Sequence, residues 1–555
     1  MDNASSKFVL LVVLDGWGIS AAGPGNPLSQ ANLPNMRKFM NSFPHTQLQA
    51  SGEAVGLPRG EAGNTETGHL NLGAGRIVYQ DLQRINMNIA DGGFYDNPVL
   101  IGAIEHAKKN NSNLHLMGLI GAGGVHSNLE HLFALIELTE KLQFNRVFLH
   151  LFTDGRDSPP TAAKMYVSKI REVTEKHKIG QIATVMGRYW AMDRDMRWDR
   201  TAKAYLALTK GEGSLFKTPE EAIDASYAEG KTDEFIEPSI MTNQAGQPVG
   251  TVKSNDSVIF FNFRIDRPRQ LSRAFTFQDF SKANLPVGFD PYLVKYQKSH
   301  LAPLPTITGE PFVRGAKLDN LYFATMTQYE KAIEEFGAKV AFPPENVKLP
   351  IGAVIASAGY KQLRVSESEK ERFVTYYFNG QQEMAFEGED RIIVPSPKVA
   401  TYDLKPEMSA IEITESVLSK LKSGTDYKFI LINYANPDMV GHTGNIGAAV
   451  KACEVVDQCI GKLADLVMAY GGYMLLTADH GNVEEMIDQS TGTIETEHSS
   501  SPVPFIVVSP KLMGKSITLT SGILADIAPT ILKILNIPVP SNMTGHNLLD
   551  SQFDL

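Results

Sequence analysis

This sequence has few cysteines and no excess of positive charge, and each of these absences excludes a class of protein. Among 555 residues there are two cysteines, Cys453 and Cys459. Their spacing fits neither a Cys-x-x-Cys metal site nor a redox motif, so we expect reduced thiols with a structural role. Asp and Glu outnumber Lys and Arg by 62 to 52, for a net charge of -10. That balance argues against non-specific binding to nucleic acid and against binding to an anionic membrane, because both need excess positive charge.

Long hydrophobic runs are also missing. The first apolar run, Phe8 to Leu14, is too short for a signal-peptide core or a membrane span, and it ends on Asp15 instead of a small-residue cleavage site. Hydrophobic residues at 43% and charged residues at 21% are ordinary for a globular protein. We therefore expect a cytoplasmic enzyme, and at roughly 150 residues per domain the length allows two to four domains.

The same apolar run is typical of a strand. Its β-branched, continuously apolar composition indicates a strand buried on both faces of a parallel sheet, with Asp15 at its carboxyl end. In open α/β sheets, ligands bind at that edge. The segment 429–438 repeats the pattern and ends in Asp438, and the segment 473–481 places Asp479 beside His480.

A glycine-rich stretch, Gly63 to Arg76, reads as a loop entering a helix. Asn64, Thr65 and Glu66 lie where the helix N-cap is expected, so backbone amides and the helix dipole favour negative charge near the Thr65 hydroxyl. The stretch is therefore suited to a nucleophile or a phosphate. The alternative is an ordinary glycine-rich connection that Thr65 caps.

Acidic and imidazole side chains gather after the predicted strands. Asp438 and His442 have the i, i+4 spacing that places two ligands on one side of a turn, and His498 precedes the predicted strand Val503 to Val508. Crowded together without a cation, such groups would repel one another and resist burial. The candidate ligands are Asp15, Asp438, His442, Asp479, His480 and His498. This thiolate-free set suits Mn²⁺, Zn²⁺, Co²⁺ or Mg²⁺, and ligand type does not choose among them.

Residues 80–345 carry their own alternation of helices and strands, so we expect a second α/β domain inserted into a first domain formed by 1–79 and 346–555. Predicted elements in the insertion are a helix at 129–142, a strand at 146–152, a helix at 161–176 and a strand at 257–263. Polar clusters follow strand-like runs, with basic residues at Arg156, Arg188, Arg194, Arg264 and Arg267. Converging guanidinium groups bind carboxylate or phosphate bidentately, whereas scattered ones are solvated. His126 and Asp157 add groups able to move protons.

Two further predictions concern chain segments. The proline-rich stretch 284–320 lacks periodicity and is expected to be a long loop. Residues 373–378 are apolar and aromatic, which favours a strand.

These motifs together resemble those of the cofactor-independent phosphoglycerate mutases. The resemblance rests on Asp15-Gly16-Trp17-Gly18, Gly63-Asn64-Thr65-Glu66-Thr67-Gly68-His69, Asp154-Gly155-Arg156-Asp157, Phe261-Asn262-Phe263-Arg264, Asn436-Pro437-Asp438-Met439-Val440-Gly441-His442 and Ala478-Asp479-His480-Gly481-Asn482. They occur in order along nearly the whole chain. The resemblance implies an α/β fold with a discontinuous, alkaline-phosphatase-like metal domain and an inserted phosphotransferase domain.

The resemblance also implies roles for individual residues. One metal would be bound by Asp438, His442 and His498, and the other by Asp15, Thr65, Asp479 and His480, with Mn²⁺ the most favoured ion. Substrate-binding residues would be His126, Arg156, Asp157, Arg188, Arg194, Arg264, Arg267 and Lys370, with Asp157 as a general acid/base. Thr65 and Lys370 would be catalytic.

The implied reaction interconverts 3-phosphoglycerate and 2-phosphoglycerate through a phosphoenzyme, without 2,3-bisphosphoglycerate, in a monomer. Thr65 stands where the family usually has serine, and its extra methyl group stiffens χ1. We therefore expect an altered rate. Two other functions stay open at this point: a metal-dependent phosphomonoesterase, and a catalytically silent protein that binds metal or a phosphometabolite.

Overall fold

The structure is a computed structural model that describes residues 8–284, 310–424, 426–488, 491–515 and 517–549. The chain divides into two compact units, here called the outer unit, Met1–Gln80 with Glu345–Leu555, and the inner unit, Asp81–Pro344. Across the described ranges, no helix is both long and apolar enough to cross a membrane. The assignment of the outer unit to metal binding and the inner unit to substrate binding stays a prediction.

The outer unit contains an eight-stranded mixed sheet. Across the sheet its strands are Glu389–Val394, Lys361–Glu367, Tyr427–Tyr434, Val9–Leu14, Tyr473–Thr477, Val503–Val508, His45–Gln49 and Gly522–Ile523. The first five strands run parallel, and Val503–Val508 is antiparallel to both of its neighbours. Every residue of Val9–Leu14 is buried, as its continuous apolar composition predicts.

The inner unit has a second eight-stranded mixed sheet. Its strands, in spatial order, are Lys339–Phe342, Tyr322–Thr327, Ser257–Phe260, Leu114–Ile120, Val147–Thr153, Gln181–Gly187, Ser239–Met241 and Ser214–Phe216. The first six are parallel. Two apolar clusters form its core, one including Leu116 and Leu149 and the other Met117 and Phe152. Adjacent residues of one strand thus join different clusters, as the alternation of side chains in a strand requires.

Helices flank both sheets. Those of the outer unit are Pro27–Gln30, Pro34–Ser42, Thr65–Ala74, Ile351–Ser357, Ala410–Lys422, Asn436–Gly441, Ile446–Tyr470 and Ile527–Ile534. Those of the inner unit are Asp81–Asp91, Pro98–Lys109, Leu129–Lys141, Ala163–His177, Arg188–Ala191, Trp198–Lys210, Pro219–Ala228, Arg269–Thr276 and Lys331–Glu335. The predicted elements in this unit are present, and their ends agree with the prediction to within three residues.

Two predicted elements differ in the structure. The predicted strand that ends in Asp438 stops at Tyr434, and Asp438 lies in the helix Asn436–Gly441. Residues 373–378 do not form a strand, because Phe373–Tyr377 is a single π-helical turn. The rings of Phe373 and Tyr377 stack with their centroids 5.6 Å apart, a contact that helical winding permits and an extended chain does not. Aromatic and β-branched composition favours strands only where a sheet offers a partner, and here packing overrides it. In the predicted proline-rich loop, residues 285–309 lie outside the described residues.

Candidate active site

Strand order brings the predicted acidic ligands to one edge of the outer sheet. Val9–Leu14 lies between Tyr427–Tyr434 and Tyr473–Thr477 and is parallel to both. Asp15, Asp438 and Asp479 therefore follow the carboxyl ends of three neighbouring strands, where ligands bind in such sheets. His498 precedes the antiparallel strand Val503–Val508, whose amino end lies at the same edge.

Thr65 is the first residue of the helix Thr65–Ala74, and it is buried. Asn64, not Thr65, is the N-cap, since its side-chain oxygen accepts the N–H of Thr67 at 2.9 Å. The alternative that Thr65 merely caps the helix is therefore wrong. Its hydroxyl oxygen lies 3.0 Å from Nε2 of His480 and 3.1 Å from Nζ of Lys370.

The helix approaches the sheet closely at Gly68. A Cβ atom on Gly68 would lie 2.5 Å from the backbone oxygen of Asp479. The absence of a side chain there lets the Thr65 end of the helix lie against the segment that carries Asp479 and His480.

Among the residues that the structure describes, two groups of side chains have ligand atoms close enough to hold an ion. One is Asp438, His480 and His498, and the other is Asp15, Asp479 and His480. His442, which the resemblance assigns to the first metal, has Nε2 3.2 Å from Oδ1 of Asp438. The structure thus gathers all seven predicted metal residues in one centre, with His480 within reach of both groups.

The donor set fits a cation. Nδ1 of His442 lies 2.7 Å from the Thr496 carbonyl oxygen, and Nδ1 of His498 lies 2.9 Å from that of Gly63. Because a carbonyl oxygen only accepts, each Nδ1 carries the proton that it donates. The Nε2 atoms of the two rings then face each other with their lone pairs, 3.1 Å apart. With Oδ1 of Asp438 beside them, three acceptors converge, so a proton or a metal ion must lie between them.

Lys370 supplies positive charge inside this centre. Its buried ammonium group donates to Oδ1 of Asp15 at 2.8 Å, to Oδ2 of Asp438 at 2.7 Å and to the Thr65 hydroxyl. Burial by itself lowers the pKa of Lys370, but the neighbouring carboxylates, led by Asp15, raise it well above its ordinary value. The side chain is therefore a permanent cation in contact with the candidate nucleophile.

Metal binding is expected to release protons. Asp438 raises the pKa of His442, and Asp479 raises that of His480 against the effect of burial. Both imidazoles therefore hold a proton more readily than an ordinary histidine in the metal-free protein, whereas a ligand must be deprotonated. We predict that binding of Mn²⁺ releases about one to two protons and that affinity rises with pH.

Calorimetric titrations in buffers of different ionisation enthalpy measure this release at pH 6, 7 and 8. An affinity that does not change with pH would contradict the placement of these histidines at the metal.

Several residues of the centre escaped the sequence analysis. Asn433 donates to Oδ2 of Asp15 at 2.7 Å, and Asn482 donates to Oδ1 of Asp438 at 2.9 Å. His69 places Nδ1 3.1 Å from Oδ2 of Asp479. Asn433 had a detectable signal, because it is an amide within the mainly apolar run 429–434. His69 and Asn482 lie inside two of the quoted motifs, but no role was assigned to either of them.

A second polar cluster, in the inner unit, is centred on Arg188. It is buried, and its guanidinium group donates to Asp154, Asp157 and Nε2 of His126. Burial, followed by the charge of Arg188, lowers the pKa of His126 to about 3, so this imidazole is neutral. For Asp157, burial raises the pKa but Arg188 lowers it by more, which leaves an ionised carboxylate.

Other predicted arginines surround Asp266. Arg194 donates to its Oδ2 at 2.6 Å, and Nε of Arg264 lies 3.3 Å from its Oδ1. Burial and the neighbouring arginines lower the pKa of Arg267 to about 10. Arg156 differs from these residues, because its side chain is 56% exposed and its ion-pair partner, at 3.7 Å, is Glu234. The cluster therefore unites four of the five predicted arginines with His126 and Asp157.

Comparison with known proteins gives consistent similarities. A family model described as the N-terminus of BPG-independent PGAM matches residues 85–331. The chain is 49% identical over 546 residues to the 2,3-bisphosphoglycerate-independent phosphoglycerate mutase of Moorella thermoacetica, which covers 98% of this chain and 99% of that protein. The protein of the same name from Clostridium tetani is 46% identical over 548 residues, with 99% and 100% covered.

A solved structure is also similar. The crystal structure of Leishmania mexicana phosphoglycerate mutase at low cobalt concentration matches with a TM-score of 0.59 and 29% sequence identity, covering 98% of each chain. The predicted α/β fold class is thereby confirmed.

Proposed function

The chain belongs to the 2,3-bisphosphoglycerate-independent phosphoglycerate mutases, and on this premise we propose that Thr65 carries the phosphoryl group between 3-phosphoglycerate and 2-phosphoglycerate. The observation that carries the proposal is the position of its hydroxyl, 3.1 Å from the Lys370 ammonium and 3.0 Å from His480. The family's activity makes this chain an isomerase.

The transfer has two halves. Oγ1 of Thr65 forms a bond to phosphorus while the bond from phosphorus to the glycerate oxygen breaks, so that the threonine loses a proton and the departing oxygen gains one. The second half reverses these events at the other glycerate hydroxyl. Lys370 donates a hydrogen bond to Oγ1 and stabilises the negative charge that develops on it.

The outer-unit centre would hold the divalent metal ions that the family implies. Asp438, His442 and His498 would bind one, and Asp15, Asp479 and His480 the other, together with Thr65. When bound, such ions supply positive charge that stabilises the transferring phosphoryl group and favours ionisation of the nucleophile. Mn²⁺ is our proposed ion, and Co²⁺ is a second candidate because the Leishmania mexicana enzyme was crystallised at low cobalt concentration.

The inner-unit cluster would bind the phosphoglycerate anion. Arg188, Arg194, Arg264 and Arg267 offer planar donors that match carboxylate and phosphate oxygens. The ionised carboxylate of Asp157, held by Arg188, would accept the proton of a glycerate hydroxyl. A cationic site of this kind retains the dephosphorylated glycerate until it is phosphorylated again. We propose that the enzyme acts as a monomer in the cytoplasm.

The test is to detect the phosphoenzyme. Protein with Mn²⁺ is mixed with 3-phosphoglycerate in the absence of bisphosphoglycerate, followed by ³¹P NMR, and quenched samples are digested for mass spectrometry. We expect formation of 2-phosphoglycerate and a phosphate on the peptide that contains Thr65. Phosphate on another residue would remove Thr65 from its role. Release of inorganic phosphate as the main product would indicate a phosphomonoesterase, and no reaction a binding protein.

A further inference from the structure

A buried glutamate beside the outer-unit centre, Glu484, joins three chain segments that carry proposed ligands. Its Oε2 accepts the backbone N–H groups of Gly18 and Asn482, each at 2.9 Å. The hydroxyl of Ser499 donates to its Oε1. Gly18 lies three residues after Asp15, Asn482 two residues after His480, and Ser499 directly after His498. One carboxylate therefore connects segments that are up to 481 positions apart in the chain, between Gly18 and Ser499.

Two glycines make room for this carboxylate. A Cβ atom on Gly18 would lie 2.3 Å from Cδ of Glu484, and one on Gly481 would lie 2.5 Å from its Oε1. Neither glycine has a positive φ. Close approach, not backbone conformation, is therefore what requires glycine at both positions. The backbone at Gly18 and Gly481 therefore packs directly against the Glu484 carboxylate, and this residue is only 1% exposed.

The contacts of Glu484 continue to the ligands. The backbone N–H of Asn482 donates to Glu484, and the side-chain amide nitrogen of Asn482 donates to Oδ1 of Asp438 at 2.9 Å. Ser499 directly follows His498, and its hydroxyl donates to Glu484. The backbone N–H of Ser499 donates to the Gly481 carbonyl oxygen at 3.0 Å. Glu484 itself is in neither group of side chains that could bind an ion.

We propose that Glu484 is a positioning residue for the metal centre, setting the orientation of Asp438 through Asn482 and that of His498 through Ser499. The inference rests on the proposed function, because it assumes that a divalent cation binds among these ligands. Partners that orient ligands without touching the metal typically contribute about 10- to 100-fold to its affinity.

Calorimetric titration of the metal-stripped protein with Mn²⁺ tests the proposal. We expect Glu484→Ala to weaken Mn²⁺ binding about 100-fold and Glu484→Gln about 10-fold. Glutamine has the same shape as glutamate, so its amide oxygen can accept the N–H groups of Gly18 and Asn482 while its amide nitrogen donates to the Ser499 hydroxyl. It lacks the negative charge that strengthens these hydrogen bonds. Raising the Mn²⁺ concentration should recover most of the activity that the variants lose, because the defect lies in metal affinity.

Glu485→Gln is the matched control, since Glu485 is the adjacent, half-buried glutamate, and its Mn²⁺ affinity should equal that of the wild type. Equal affinity in Glu484→Gln and wild type overturns the positioning role, as does a loss of kcat at saturating metal without weaker binding. If Glu484→Ala does not fold, the glutamine variant decides. Failure of the wild type itself to bind Mn²⁺ overturns the metal centre, a result that differs from either outcome for Glu484.

Discussion

Thr65→Ala should lower the rate of 2-phosphoglycerate formation by ~10⁴-fold or more, since removing a nucleophile costs that much in enzymes that act through a covalent intermediate. The hydroxyl that Lys370 and His480 contact is lost, while the Asp and His ligands stay in place. Metal content at saturating Mn²⁺ should therefore be unchanged, because the loss of the Thr65 oxygen leaves the Asp and His ligands of both ions. The measurement is a coupled assay of 3-phosphoglycerate conversion, with metal content determined on the same sample.

Thr65→Ser is the control for this change. Serine keeps the hydroxyl and lacks only the methyl group that stiffens χ1, so activity should stay within about tenfold of the wild type. Retention of full activity by Thr65→Ala would exclude Thr65 as the phosphoryl acceptor.

Lys370→Met should be the most damaging change to the metal-free protein. It removes the ammonium that pairs with Asp15 and Asp438, both buried. Breaking a buried ion pair by removing one partner costs about 3–5 kcal/mol, because the other charge remains buried without compensation. Loss of the donor to Thr65 should also lower mutase activity by about 10²- to 10³-fold.

Thermal and urea unfolding of EDTA-treated protein measures the stability loss. Added Mn²⁺ should stabilise Lys370→Met more than the wild type, since a cation then replaces the missing charge. Lys398→Met is the control, because Lys398 is exposed and should tolerate the change. Equal stability of the two variants without metal would contradict the role given to Lys370.

Much of the site was predictable because its signals are local. An apolar run followed by an acid, as at Leu14 and Asp15, indicates a strand end wherever it occurs. The i, i+4 spacing of Asp438 and His442 likewise needs no knowledge of distant residues. The motif order indicated the family, which the full-length similarity to curated relatives confirms.

The missed residues act through contacts between distant segments. Asn433 and Asp15 are 418 positions apart, and Gly18 and Glu484 are 466 apart. Lys370 and Arg156 show the same limit. The resemblance assigned Lys370 to both catalysis and substrate binding and Arg156 to substrate binding, and these roles stay predictions. The structure adds that Lys370 is buried among the metal-centre carboxylates and that Arg156 is largely exposed. Whether an exposed arginine reaches a ligand is a property of the folded surface, which its neighbours in sequence do not encode.

The sequence by itself determined the α/β class, the strands that Asp15, Asp438 and Asp479 follow, and the chemistry of the donor groups, since these depend on composition and short-range periodicity. Tertiary structure alone decided which strands are neighbours, that residues 373–377 wind into a turn, and that Lys370 lies against the nucleophile. The physical reason is that strand pairing, burial and charge compensation are set by long-range packing, and packing selects one arrangement among many that the local pattern permits.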